Sequence, residues 1–469
     1  MGNKIIMNPV TRISGFLEIQ VEVEENKIID AKCGGMLFRG FEKMLKGRPP
    51  LDAVYFTQRI CGICSTAHSI GSTSALEDVL DIIPNDNDKM IRDFIHGCEI
   101  IQNHLRHYYQ YSLPDYVKGV ELQLTQIEMH NDYRLPENLN KELANHYLDS
   151  FRYGRLAHEM LTVLGGKAPH NHGVFVGGVT VNLDASKWIK VKSTLAEIKD
   201  FVENVMIPDV YVISEYYSDY FENGVGYRNL MTYGLFDNYK EKQLFFVEPQ
   251  VFIDGEVYVL DSDKITENIQ KAWFEANQIV QKPTELTVEE NANKEGAYSW
   301  IKAPRYDGYV MEVGPLARMI LSGNYKRGIS TMDRLIARVL ETKKIIEIME
   351  QFLERMKFEP ANQRIYEFPY SVKGKGLADT SRGALGHWIY VQDQEIYNYE
   401  IITPSAWNLS PEDSKGLKGA AEKALIGTTI KDMAYPVEIG RIIRSFDPCI
   451  SCATHVESDR FAPMDIRIV

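Results

Sequence analysis

Two Cys-x-x-Cys pairs lie near opposite ends of the sequence. The first sits in Arg59-Ile60-Cys61-Gly62-Ile63-Cys64-Ser65-Thr66-Ala67-His68, the second in Asp447-Pro448-Cys449-Ile450-Ser451-Cys452-Ala453-Thr454-His455. Two intervening residues let both sulfurs of a pair point to one side at metal-ligand distance, and Gly62 relaxes the turn between them. Thiolates select zinc, Cu(I), iron–sulfur or other soft transition-metal sites, not magnesium or calcium. Arg59 stands where a cation would lower the thiol pKa values and so favour the metal-binding thiolates. A His three or four residues beyond each pair suits a donor to sulfur. A four-cysteine zinc site is the plainer alternative, but zinc ribbons separate their pairs by about 15–20 residues. A thioredoxin-like redox motif needs one pair inside a βαβ unit, and neither pair has that setting. The residues themselves point to one site of four thiolates on a soft transition metal, built where the two chain ends meet in the core.

Such a site needs rigid elements around it. The chain has 469 residues, 44% hydrophobic and 25% charged, with six cysteines and a formal charge of −13. That length buries a large core, and six cysteines are too few for a disulfide scaffold. The acidic balance argues against nucleic acid or anionic lipid as a main partner. The N-terminal MGNKIIMNPVTRISGF lacks the apolar stretch of a secretory signal, and no window reaches transmembrane length, so direct membrane insertion is not expected. Leu17, Ile19 and Val21 alternate with Glu18, Gln20 and Glu22, which predicts a strand turning at Glu25-Asn26. Apolar residues from Met90 to Tyr109 predict a long helix over about 87–112, ended by Pro114. A second helix is predicted over about 331–357, with Ser330 and Asp333 as a capping box and Pro360 beyond it. A third is predicted near 150–164. The stretch 220–320 reads as loops and short strands. The class is α+β, with no linker to divide it, so residues 1–469 form a single domain. Cys98 falls on a helical stripe and reads as a small buried hydrophobe; Cys33 carries no assignment.

The two motifs together resemble those of the large, catalytic subunit of nickel–iron hydrogenases, RxCGxCxxxH near the start and DPCxxCxxH near the end. Met36-Leu37-Phe38-Arg39-Gly40-Phe41-Glu42, Phe56-Thr57-Gln58, Ser381-Arg382-Gly383-Ala384-Leu385-Gly386-His387-Trp388 and Pro404-Ser405-Ala406-Trp407-Asn408 agree as well. The resemblance covers essentially the whole chain. It implies a long central helix bundle with small peripheral β-sheets and both terminal segments at the metal. It implies a Ni–Fe centre with Cys61 and Cys449 as terminal nickel ligands and Cys64 and Cys452 bridging to iron, the iron also carrying CO and two cyanides, Fe(CO)(CN)2. The reaction would be reversible heterolytic cleavage of H2, with Cys449 taking the proton. Position 449 is cysteine, which excludes the selenocysteine variant. By the same resemblance Arg382 hangs over the open metal position, Asp447 orients Arg382, and His68 hydrogen-bonds a bridging sulfur. Glu42, the carbonyl at Ile401 and His455 bind Mg2+. Taken alone, Arg382 would read as a surface ion pair.

The sequence departs from the family pattern at three places. Ser14 replaces a glutamate that relays protons from the terminal thiolate, and a hydroxyl cannot hold a proton near pH 7 as a carboxylate can. Asn103 replaces an Asp above the site, and Ser381 replaces a Pro. These changes predict altered proton transfer rather than altered H2 binding. Residues 456–469 resemble the propeptide that a maturation endopeptidase removes after the final His. With two cysteines left over, the chain cannot hold an iron–sulfur cluster of its own. The resemblance therefore implies an Fe–S small subunit as electron partner, and a final location in the cytoplasm or, if co-exported with that partner, in the periplasm or at the outer membrane face. A hydrogen-sensing subunit of low turnover is the competing reading. The metal-free relative in quinone-reducing complexes lacks the four cysteines and does not match.

Overall fold

The computed structural model describes residues 3–119, 130–239, 241–285, 287–361 and 365–453, with the side chains of Cys452 and Ala453 outside that description. The N-terminal sheet joins β1 (Asn3–Met7), β2 (Leu17–Glu24) and β3 (Lys27–Gly35) in antiparallel order. The predicted alternation is realised: Leu17, Ile19, Val21 and Val23 are buried on one face of β2. Glu25 and Asn26 turn the chain with φ of 48° and 60°, the left-handed pair that matches strand twist in a tight hairpin.

Helices α1 (Asp52–Gln58) and α2 (Ser65–Leu80) flank the first cysteine pair. Then come α3 (Asp86–Leu105), α4 (Glu137–Gly165), α5 (Ala185–Phe201), α6 (Ile207–Tyr216) and, after a stretch of short strands between 230 and 313, α7 (Thr331–Arg355). Helix α3 packs on α4 and α7, and α4 on α5, so these long helices form one bundle around a shared apolar core that includes Phe94, Ile101, Leu161, Leu335 and Phe352. The capping expected at α7 is present, with the Ser330 hydroxyl accepting the Asp333 N–H at 3.2 Å. Cys98 lies fully buried in that core, as expected.

Two helices differ from expectation. The predicted 87–112 helix is α-helical only to Leu105; residues Arg106–Ser112 form a π-helix, and Leu113–Asp115 a 3-10 turn with Pro114. The third helix begins at Glu137 instead of near 150. Its first half is mostly polar and buries little beyond Leu143 and Tyr147, so it carries no apolar stripe to read.

A three-stranded antiparallel sheet of β4 (Ser371–Thr380), β5 (Gly383–Gln392) and β6 (Glu395–Ile402) covers α2. The approach is close because Gly376 has no side chain: a Cβ there would meet the Gly71 carbonyl oxygen at 2.0 Å and the Ala75 nitrogen at 2.5 Å. Helix α8 (Val437–Ser445) delivers the second cysteine motif to a core shared with β2 and β3. No helix among the described residues is long and apolar enough to cross a membrane.

Gly376→Ala is expected to lower stability by about 1–3 kcal/mol through overpacking of α2 against β4. Urea denaturation of the purified protein checks it; an unchanged midpoint would mean that this contact does not limit the packing.

Candidate metal centre

The first motif is a loop between two helix ends. Arg59 caps α1, and Cys64 occupies the N-cap position of α2. The Gln58 side chain donates to Ser69 Oγ and to the Asn171 carbonyl, both at 3.1 Å, which anchors the loop. The Ile63 N–H points at Cys61 Sγ, 3.3 Å away. Glu99 of α3 accepts the Thr66 and Ala67 N–H groups at 2.7 and 3.0 Å, filling the N-terminal donors of α2. Burial pushes this carboxyl up to about 7 despite those bonds.

The second motif is positioned by backbone. Ser14 pairs with Cys449 as an isolated parallel bridge: Ser14 N–H donates to the Pro448 carbonyl at 3.2 Å, and Ile450 N–H to the Ser14 carbonyl at 2.7 Å. Gly15 has φ of 89°, and a Cβ there would lie 2.6 Å from the Ser451 nitrogen, so the segment can dock only with glycine. Cys449 N–H donates to Ser405 Oγ at 2.9 Å. Arg39 spans both motifs, donating to the Ile60 and Ser451 carbonyls.

These elements bring Cys61 Sγ and Cys449 Sγ to 3.4 Å. The sulfurs of Cys61, Cys64 and Cys449 all lie within 4.8 Å of one another. None of the three is in a disulfide, and all are buried in an apolar cluster with Ala67, Leu385 and Ile401. Metal–sulfur bonds of about 2.3 Å in tetrahedral geometry put sulfurs about 3.8 Å apart, close to the spacing found. The side chain of Cys452 and all of His455 and residues 456–469 lie outside the described residues.

Charge is concentrated beside the thiols. Arg382, 2% exposed, donates through Nε to the Asp447 carbonyl at 3.0 Å. Its Nη2 lies 3.0 Å from Asp447 Oδ1, within ion-pair distance but off the hydrogen-bond angle, so both guanidinium NH2 groups retain unused donors. Asp447 has φ of 55°; its Oδ2 accepts Asn103 Nδ2 at 2.8 Å and lies 3.1 Å from Arg338 Nη1. Burial alone would raise the Asp447 carboxyl, but Arg382 and Arg338 outweigh it and hold the group well below the usual carboxylate range. Arg382 is a cation whose charge acts on Cys449, Cys64 and Cys61. Arg59, expected in that role, is exposed at the end of α1.

His68 shares a small cavity with Cys64, Arg382, Ser405 and Cys449. Its Nδ1 lies 3.2 Å from His387 Nε2, and His387 Nδ1 lies 2.8 Å from the Tyr399 hydroxyl. Glu42 and Ile401 line a second cavity with Glu267, Lys302 and Glu400. There Lys302 Nζ lies 2.9 Å from Glu267 and also bonds Glu400. Burial raises the Glu42 carboxyl. Of the residues the sequence reading singled out, Cys61, Cys64, Cys449, Arg382, Asp447, His68 and the Ser14 backbone thus converge, and Glu42 meets Ile401 nearby. Sequence reasoning missed Arg338, Glu99, Glu267, Lys302 and Glu400. Lys302 and Glu400 are flanked by apolar residues, the one hint that their charges are buried.

A family model described as nickel-dependent hydrogenase matches residues 39–128, 123–329 and 323–455. The periplasmic [NiFeSe] hydrogenase large subunit of Desulfomicrobium baculatum is 34% identical, the alignment covering 97% of this chain and 95% of that one. The hydrogenase-1 large chain of Citrobacter freundii is 30% identical over 98% of this chain and 96% of its own. The reduced Ni-Fe-Se hydrogenase of D. vulgaris Hildenborough superposes with a TM-score of 0.92 at 35% identity, covering 97% of this chain and 100% of that one. With motif, fold and full-length similarity in agreement, the chain belongs to the nickel-dependent hydrogenase family, as the catalytic large subunit of an oxidoreductase acting on H2.

Proposed function

We propose that Cys61, Cys64, Cys449 and Cys452 hold a Ni–Fe centre whose iron carries CO and two cyanides, and that its electrons leave through an Fe–S small subunit. The carrying observation is the 3.4 Å approach of Cys61 Sγ to Cys449 Sγ, with Cys64 beside them, in an apolar pocket. The donor set suits the group. Clustered thiols favour soft metals over hard ones. The buried Nη1 of Arg382, without a hydrogen-bond partner among the described residues, supplies a donor for acceptor atoms on such a centre. When bound, the centre polarises H2 as a Lewis acid.

The chain's own residues then act as follows. Cys449 Sγ takes the proton. Arg382 holds positive charge over the reacting face, and Asp447 fixes its plane through the contact to Nη2 and the Nε bond to its own carbonyl. His68 approaches His387 through Nδ1, and its Nε2 would donate to a thiolate sulfur of the bound centre. Ser14 is held against Cys449 by backbone, which keeps its hydroxyl beside the thiol as a candidate relay through water. Glu42, the Ile401 carbonyl and His455 bind Mg2+. Buried Glu267 and Glu400 and half-buried Glu42 line one cavity with Lys302, Lys43 and Lys46, so this cavity offers the oxygen donors that a divalent cation takes. His is an unusual ligand for so hard a cation, so this ligand set rests on the family resemblance.

Maturation removes 456–469 after His455. The relatives compared are named as hydrogenases, one of them periplasmic, which supports an enzyme over the sensor reading and leaves export with a partner as a route.

Cys61→Ser is expected to reduce nickel retention roughly tenfold or more, since a hydroxyl is a poor soft-metal ligand; metal analysis of the purified complex reads it, and normal nickel content would remove Cys61 from the centre. Ser14→Glu is expected to raise H2 oxidation about tenfold and to accelerate H/D exchange by restoring a proton-holding carboxylate. If Ser14→Glu and Ser14→Ala both match wild type, the relay does not pass through position 14.

A further inference from the structure

The face of α3 turned toward the two cysteine motifs carries residues spaced one helical turn apart. Glu99 bonds the backbone just beyond Cys64. Asn103 bonds Asp447, two residues before Cys449. The next position along that face is Arg106. At Arg106 the α-helix gives way to the π-helix Arg106–Ser112, an irregularity often found at functional sites. The wider turn returns Tyr111 to the same side. The Tyr111 carbonyl accepts from Arg12 Nη1 at 2.9 Å, and Arg12 lies two residues before Ser14. Burial raises the pKa of the Tyr111 phenol, and the Arg106 and Arg382 charges act against that rise.

Arg106 is half-buried, and its Nη1 is fully buried without a hydrogen-bond partner among the described residues. Burial lowers the pKa of this guanidinium, and the charges acting on it include Tyr111, Arg382, Asp447 and Cys61. Of these, Arg382 is a like charge. Asp447, the carboxylate among these, is already held by Asn103, Arg338 and Arg382. From α4, His158 adds no anion; burial, with Arg106 beside it, pushes its imidazole down to about 4. A guanidinium nitrogen buried without an acceptor is costly. Metal-bound thiolates are the anions that would balance it, and Cys61 is the ligand of the centre whose charge acts on Arg106.

We propose that Arg106 is a counter-charge for the loaded thiolate centre on its Cys61 side, and that its guanidinium sets how easily the centre is oxidised. The inference rests on the Ni–Fe reading above. A fixed cation in a dry pocket raises the energy of every state in which the centre loses an electron, and it does so without touching H2. Arg106 is thus a positioning residue for charge, separate from Arg382 over the reacting face.

The test uses the intact complex of large and small subunits, with Arg106→Gln and Arg106→Lys beside wild type. Infrared bands of the CO and cyanide ligands are followed through a redox titration. Nickel and diatomic bands in wild type secure the underlying reading; their absence would sink that reading and leave Arg106 without a centre to balance. Arg106→Gln is expected to move the midpoint potentials negative, changing the ratio of oxidised to reduced centre at a fixed potential by about tenfold. Arg106→Lys, which keeps the charge, should match wild type. A Gln variant that fails to load while the Lys variant loads also supports the counter-charge. Two loaded variants with wild-type potentials would overturn it, as would failure of both to load, since shape rather than charge would then be required.

Discussion

Two thiols separated by 388 residues of chain stand 3.4 Å apart, and the rest of the structure is arranged around keeping them there. Like-charged thiolates repel, so the arrangement needs both a rigid frame and nearby positive charge. The frame comes from backbone: the Ser14 bridge to the Cys449 segment, the glycine at position 15 that permits it, and the helix ends that bracket Cys61 and Cys64. The charge comes from Arg382 and Arg338, joined through Asp447.

That charge cluster continues away from the metal pocket. Arg338 Nη1 lies 3.1 Å from His104 Nδ1, His104 Nε2 lies 2.8 Å from Glu341, and Glu341 pairs with Arg318, which reaches Asp379 at 3.0 Å. All of these groups are buried. Removing one partner from such a network leaves an uncompensated charge at a cost of about 3–5 kcal/mol. The network therefore fixes the relative placement of α3, α7 and the β4–β5 turn, which in turn fixes Arg382. Burial pushes His104 down to about 4, so the imidazole stays neutral at ordinary pH although Glu341 favours its proton.

The parts legible in the sequence share a physical reason. Leu17, Ile19 and Val21 declare a half-buried strand because alternation has no other simple cause. The four cysteines declare a metal because their spacing fits little else. The hidden parts also share a reason. Helix α7 buries Asp333, Arg334, Arg338 and Glu341 along with its apolar stripe, and a linear reading assigns such residues to a solvated face. Whether a charge is buried depends on a partner that the fold brings from hundreds of residues away, as it brings Asn103 to Asp447. The π-helix at Arg106 is hidden likewise, since its residues continue the α-helical pattern through Tyr108 and Tyr109. The polar first half of α4 escapes for the opposite reason, having little apolar surface to bury.

The central claim is that these cysteines form one nickel-binding thiolate centre. Nickel-edge X-ray absorption on the purified, anaerobically handled complex tests it most directly. The account predicts nickel bound predominantly by sulfur at thiolate distances, with iron as a close heavy neighbour. A protein that carries zinc in place of nickel, or nickel surrounded by nitrogen and oxygen donors, would contradict it.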